Sequence, residues 1–361
     1  MKNIAIVHDF LTKAGGAERV LKVFADMFPK APIFTLIHDE KKFEKIIPSS
    51  RVHASLIKKL PKFIQNRPKI FLPFLPTITE QFDLSAFDLI ISSSGAFAHG
   101  VITPSKSKHI CYCHSPMRYA WDWKDEYLEE NNLKGLKKHI VQKILHKIRI
   151  WDQTAADRVD LYLANSHTVQ KRIKKYYRQN STVIYPPVDI NRFKPTKHHE
   201  DYFLIVSTLT PYKKIDLAIR VFNKIKRKLI IIGDGSQKES LQKISNANIE
   251  FLGFKNDSVV TEYMQNCRAL IFPGEDDFGI TPVEAMACGK PVIAFGKGGA
   301  TETIIQGKTG EFFIDQTETS FEQGLGRFFL NESNYNYLEI AKQSQQFSKE
   351  NFIANIQKII N

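Results

Sequence analysis

The run Ile4-Ala5-Ile6-Val7 is wholly apolar; His8 and Asp9 break it, a loop passes through Gly15-Gly16, and an amphipathic stretch covers 17–28. The pattern predicts a buried strand, a glycine turn and a helix. Short apolar runs recur at 33–37, 89–91, 109–113 and 161–163, with helical patterns between several of them. After residue 200 the pattern restarts: strands are expected at 203–206, 229–232, 249–252, 269–272 and 291–295, helices at 216–226, 237–245, 258–266 and 282–288. Strands alternating with helices imply parallel βαβ units, hence an α/β fold. Between the two series lies Ile184-Tyr185-Pro186-Pro187-Val188-Asp189, where adjacent prolines exclude regular structure. We place the boundary there, with a first domain at 1–185 and a second at 186–345. Two doubly wound domains facing one another would bind a ligand in an interdomain cleft, at the carboxyl ends of the strands.

A chain of 361 residues accommodates two such domains. Its 43% hydrophobic and 11% aromatic content excludes a disordered chain. Four cysteines cannot staple a fold of this size, which fits a reducing compartment. The opening apolar run is too short for a signal peptide, and no run approaches the ~18 residues that span a bilayer. A soluble, cytoplasmic protein is expected.

Charge adds a direction. Of the net +13, residues 1–200 carry 33 Lys+Arg against 19 Asp+Glu, and the remainder 18 against 19. A one-sided basic surface points to an acidic partner: nucleic acid, anionic lipid or a phosphorylated substrate. Two basic stretches stand out. Residues 135–150 set Leu136, Ile140, Val141, Ile144, Leu145 and Ile148 along one face, with Lys137, Lys138, Lys143, Lys147 and Arg149 largely elsewhere. Residues 56–75 mix Lys58, Lys59, Lys62, Arg67 and Lys69 with Ile57, Phe63, Ile70, Phe71 and Phe74. Such segments can seat in an anionic membrane interface; an ordinary surface helix with its apolar side in the core reads the same way.

Four segments carry candidate chemistry. After a strand, Asp276-Asp277-Phe278-Gly279-Ile280-Thr281-Pro282 leads into a helix containing Glu284, and the free N–H groups at that helix start suit a phosphate. Carboxylates flanking a phosphate site would repel it unless they grip hydroxyls instead, and sugar hydroxyls are natural partners. Thr208 and Lys213 lie on another strand-to-helix turn, Gly15 and Gly16 on the first. His109-Ile110-Cys111-Tyr112-Cys113-His114 invites a metal reading, but strand alternation points Cys111 and Cys113 one way and His114 the other. No dinucleotide or Walker-type phosphate loop is present.

The acidic pair Asp276 and Glu284, separated by seven residues, resembles the donor-binding signature of the retaining glycosyltransferases of family four, whose fold is GT-B: two facing Rossmann-like domains with a cleft between them. The resemblance covers nearly the whole chain and is tightest over 184–310. It implies that Asp276 holds sugar hydroxyls, Glu284 the nucleotide ribose and Lys213 the diphosphate. Phe278, Gly279, Ile280 and Thr281 would line the donor, the Gly15-Gly16 loop would face its phosphates, and His114 would face the donor sugar. Phe254, after Gly253, would border the nucleotide base. Two positions depart from the family: Asp276 stands where Glu is usual, one methylene shorter, and Thr208 stands where an Arg would share the diphosphate with Lys213. Lys214 or Glu275 could compensate. The run His114-Ser115-Pro116-Met117-Arg118-Tyr119-Ala120-Trp121 is similar to the mannosyltransferase-like branch that builds bacterial surface polysaccharide (O-antigen or capsule), and residues 346–361 resemble a final helix that crosses back onto the first domain.

The implied function is retaining transfer of a hexose, first of all mannose from GDP-mannose, to a saccharide linked to a polyprenyl diphosphate, at the inner face of a membrane. It needs no metal or other cofactor. The alternatives are a UDP-sugar donor, a nucleotide-sugar epimerase on a similar fold, a non-catalytic nucleotide-sugar or glycan-binding module, and a basic nucleic-acid-binding protein. No helix-turn-helix, zinc finger or RNP motif supports the last, so no nucleic-acid partner is expected.

Overall fold

Short runs rich in Ile, Val, Leu and Phe are buried on both faces when parallel strands are covered by helices, and that is how this chain uses them. The computed structural model describes residues 2–13, 15–44, 46–59, 68–131 and 133–360. It divides between Tyr185 and Pro186 into two compact units, the second running to Ile359.

The first unit contains β1 (Ile4–Leu11), β2 (Ile33–His38), β3 (Val52–Ala54), β4 (Leu89–Ser94), β5 (Lys108–Cys113), β6 (Leu161–Ala164) and β7 (Ser181–Val183). They form one parallel sheet in the order β3-β2-β1-β4-β5-β6-β7. The second unit contains β8 (Phe203–Val206), β9 (Leu229–Ile232), β10 (Ile249–Gly253), β11 (Ala269–Phe272), β12 (Val292–Phe295) and β13 (Gly310–Phe313). Its order is β10-β9-β8-β11-β12-β13, again all parallel. In each sheet the order reverses once, between β1 and β4 and between β8 and β11. Both units are therefore Rossmann-like, doubly wound α/β domains, and in such sheets ligands bind beyond the carboxyl ends of the strands at the reversal. The second core packs Phe203, Ile205, Phe222, Ile231, Phe313 and Phe321, each no more than 1% exposed.

Three sequence expectations change. The first strand continues four residues past Val7, because His8 and Asp9 are buried with partners. The Asp9 carboxylate accepts four backbone N–H groups, from Gly95 (2.6 Å), Ala96 (3.0 Å), Phe97 (2.7 Å) and Ala98 (2.7 Å), which offsets the cost of burying a charge. Hydropathy cannot foresee such partners, so it ended the strand too early.

The basic stretch at 135–150 is a 21-residue helix, Gly135–Ala155, but its apolar residues do not share one face. Leu145, Ile148 and Ala155 are buried, whereas Leu136 and Ile140 are exposed. At about 100° per residue, a row spaced i, i+4 drifts around the helix, and over these turns it moves from the solvent side to the core. Leu136, His139, Ile140, Lys143, His146, Lys147 and Ile150 form the outward side, and the helix's one acidic residue, Asp152, is fully buried.

The stretch at 56–75 is not one helix. Its described residues form a turn at Leu56–Lys59, a turn at Pro68–Phe71 and the helix Leu75–Glu80. Ile57 and Phe71 are buried there, while Ile70 and Phe74 are exposed. Lys62, Phe63 and Arg67 lie outside the described residues. The last helix, Lys349–Ile360, groups with the second unit as far as Ile359. No described helix is long and apolar enough to cross a membrane.

Candidate functional site

In the second unit the loops after β8 and β11 meet. The turn Pro211–Lys213 leads into the helix Ile215–Ile225, and Lys213 Nζ donates to both carboxylate oxygens of Asp276, at 2.6 and 2.5 Å. Its ammonium lies 4.8 Å from the Tyr212 ring centroid and 6.0 Å from that of Phe272, so aromatic faces hold the charge on two sides. The approach depends on Gly274, where a Cβ would come within 2.8 Å of the Lys213 Cα. Lys213 and Asp276, 63 residues apart, thus form one partly buried unit.

The acidic loop turns into the helix Ile280–Ala287 through Gly279, whose φ of 84° is left-handed and suits glycine. Gly279, Ile280 and Thr281 are half-buried, and the first N–H groups of a helix have no intrahelical partner. The Phe278 side chain faces inward against Phe347, ring centroids 5.5 Å apart. Behind the loop, Gly299 N–H donates to the Asp276 carbonyl at 2.9 Å. Glu284, on the helix, is only 4% exposed. Its Oε1 accepts from Arg192 Nη2 at 2.8 Å, while Arg192 Nη1 donates to Asp257 at 2.6 Å.

Thr208 is exposed, and Lys214, also exposed, caps the following helix at φ 51°. The loop carrying Thr208 packs on the one after β9, where Leu209 N–H donates to the Asp234 carbonyl at 3.0 Å, and that loop is tied in turn to the end of β10 by Gly233 N–H, which donates to the Gly253 carbonyl at 2.9 Å. Phe254, next to Gly253, is 79% exposed.

In the first unit the other three expected residues follow β1 and β5. Gly15 caps the helix Gly16–Met27 in an extended conformation, and its N–H donates to Glu18 Oε2 at 2.9 Å. His114 closes β5; its Nε2 lies 2.8 Å from Ser93 Oγ, and its ring meets that of His8 edge-on at 6.5 Å. Burial, and next the facing His8, push the His114 imidazole down to about 3, so it is neutral at physiological pH. Cys111 and Cys113 point into an apolar cluster with Ala164 and Val169, and all four cysteines are buried thiols outside any disulfide. Among the described residues, no three His, Cys, Asp or Glu side chains gather as metal ligands do.

Two family models match the chain in succession: "Glycosyltransferase Family 4" over residues 14–192 and "Glycosyl transferases group 1" over residues 188–347. The chain belongs to glycosyltransferase family 4. It is 23% identical to the alpha-1,3/1,6-mannosyltransferase ALG2 of Dictyostelium discoideum, over 99% of this chain and 97% of that one. With the O-antigen chain mannosyltransferase RfbU of Salmonella typhimurium it shares 30% identity over 42% of this chain and 46% of the relative. The solved structure of Anabaena Alr3699/HepE in complex with UDP and glucose matches with a TM-score of 0.72 and 19% identity, covering 100% of this chain and 99% of that one. This likeness, with the two parallel sheets, establishes the GT-B fold.

Lys213, Asp276, Gly279, Ile280, Thr281 and Glu284 are therefore gathered at one sheet end of the second unit, and Gly15, Gly16 and His114 at the corresponding end of the first. Sequence reasoning missed Arg192. It lies 92 residues from Glu284 in a segment without periodicity, and only the fold brings the pair together.

Proposed function

We propose that this family-4 glycosyltransferase moves a hexose, with retention of configuration, from a nucleotide diphosphate sugar to a saccharide carried on a polyprenyl diphosphate, in the synthesis of a surface polysaccharide. One observation carries the reading: Lys213, paired with Asp276, sits beside the Gly279–Thr281 helix start. A cation and orphan N–H groups there suit a diphosphate, while Asp276 and Glu284 offer acceptors to hydroxyls. As the bond between the anomeric carbon and phosphate oxygen breaks, positive charge grows on the sugar ring and negative charge on the departing phosphate. Lys213 and the helix N–H groups stabilise the latter. The acceptor hydroxyl attacks from the face the phosphate leaves and passes its proton to a phosphate oxygen, so no protein base is assigned.

The first donor is GDP-mannose, favoured by the mannosyltransferase relatives. A UDP-sugar is the second reading, favoured by the neighbour solved with UDP and glucose. The outward side of the Gly135–Ala155 helix, apolar and basic without an exposed acid, supports a peripheral place on an anionic membrane on the cytoplasmic side.

A thermal-shift panel of GDP, UDP, ADP and their sugar conjugates tests the donor. Saturation at ~100 times the dissociation constant adds about 2.7 kcal/mol, a visible rise in melting temperature. Transfer assays with Lys213→Ala and Glu284→Gln, expected to fall ~10²–10³-fold with the fold retained, test the site. Full transfer by either variant would overturn this reading, and a panel without response would favour a non-catalytic module.

A further inference from the structure

A row of polar contacts in the first unit reaches His114 from behind. Glu18 Oε1 lies 3.7 Å from His8 Nε2, and His8 Nδ1 lies 3.1 Å from both the carbonyl oxygen and Oγ of Ser93. Ser93 Oγ in turn lies 2.8 Å from His114 Nε2. These four side chains come from β1, the first helix, β4 and the end of β5, so only the sheet order β1-β4-β5 assembles them.

Donor and acceptor rules give the row a direction. A carbonyl oxygen only accepts, so His8 Nδ1 must carry a proton to satisfy Ser93. Ser93 Oγ then has its own proton to give, and among the described residues the acceptor in reach is His114 Nε2. A neutral imidazole that accepts at Nε2 is protonated at Nδ1. No described residue bonds His114 Nδ1. Glu18 Oε1, 3.7 Å from His8 Nε2, closes the row on the other side of the His8 ring. The other Glu18 oxygen holds Gly15 N–H at 2.9 Å, tying the glycine loop to the same row.

We infer that Glu18, His8 and Ser93 are positioning residues that lock His114 in its Nδ1–H tautomer, so that it offers a bound sugar a neutral hydrogen-bond donor and not a base. The inference rests on the reading of His114 as a residue that faces the donor sugar. The Tyr112 phenol, whose ring centroid lies 5.3 Å from that of His114, donates to the Ile184 carbonyl, and the Asp9 carboxylate is engaged with the four N–H groups of residues 95–98. Neither offers His114 Nε2 an alternative donor. The low pKa of His114 agrees, since a ring that stays uncharged has one tautomer to choose.

Long-range proton–nitrogen correlation NMR on histidine-labelled full-length protein reads the tautomer directly. The expected spectrum has His114 protonated at Nδ1 in the wild type and a shift toward the Nε2–H form in Ser93→Ala. Transfer by Ser93→Ala is expected to fall ~10–100-fold in kcat with the donor KM little changed, the usual size for a residue that orients a reacting group. His8→Gln, whose amide can still donate to the Ser93 carbonyl, should keep the wild-type His114 tautomer. His114 protonated at Nε2 in the wild type would overturn the relay whatever the activity. The Nδ1–H form combined with unimpaired transfer by Ser93→Ala would overturn its part in the reaction. The Lys213 and Glu284 variants test the donor site separately, so either failure is distinguishable from failure of the site itself.

Discussion

Arg192 Nη2 donates to Glu284 Oε1 at 2.8 Å, and this contact decides where the carboxylate of a nearly buried glutamate points. The guanidinium stacks over Phe193 at 4.5 Å and spends a second nitrogen on Asp257, so it is held on three sides. Removing it leaves Glu284 charged and buried without this partner. Breaking one side of a buried pair costs about 3–5 kcal/mol, and Arg192→Met should fall near the lower end because the arginine is partly exposed. Denaturant titration measures the loss. Arg192→Met combined with Glu284→Gln should be more stable than Arg192→Met alone, because the stranded charge is gone. Equal stabilities would mean that the pair does not hold the carboxylate.

The acidic loop depends on a residue outside it. Gly298 has φ +68°, and a Cβ there would lie 2.4 Å from the Asp276 carbonyl oxygen. Gly298→Ala therefore adds left-handed strain of about 1–2 kcal/mol and pushes on the backbone that carries Asp276. We expect a lower melting temperature together with weaker nucleotide-sugar binding by calorimetry. A variant with unchanged binding would show that the loop moves without consequence.

Acid should destabilise the first unit. His109 is fully buried and bonded to Ser92 Oγ at 2.8 Å; burial pushes its imidazole down to about 4. Between the ordinary value of 6.5 and about 4 the unfolded chain holds a proton that the folded ring refuses, so stability falls as pH falls through that window. Burial likewise brings His99 to about 4. Asp152 works in the opposite sense: burial raises it to about 7, so its contribution is present at low pH and is lost as pH rises from 3.8 toward 7. The histidines outnumber it, and unfolding midpoints should be lower at pH 4.5 than at 6.5. His109→Gln should remove about 2 kcal/mol of that difference.

The outward side of the Gly135–Ala155 helix predicts salt-sensitive binding to vesicles of anionic phospholipid. At about 1 kcal/mol per lysine near a charged surface, Lys143→Ala with Lys147→Ala should weaken flotation binding about 30-fold. Ile140→Ser should weaken it further by removing an apolar anchor. Equal binding of wild type and double variant would remove this face from the membrane account.

Much of this protein was legible in its sequence because the signals are local. Apolar runs between helical patterns specified two series of parallel βαβ units, since strands buried on both faces carry their own hydropathy signature. Pro186 and Pro187 marked the boundary, and Gly279 and Pro282, between Asp276 and Glu284, marked a helix start. The tertiary structure alone decided what depends on partners distant in sequence. It buried Asp9 under the four N–H groups of residues 95–98, and turned Leu136 and Ile140 outward from a helix whose later turns face the core. It also brought Arg192 to Glu284 and lined up Glu18, His8 and Ser93 behind His114. Each is a polar or charged contact, or a choice of helix face, whose cost is met by another element. No periodicity along one strand or helix records which element that will be.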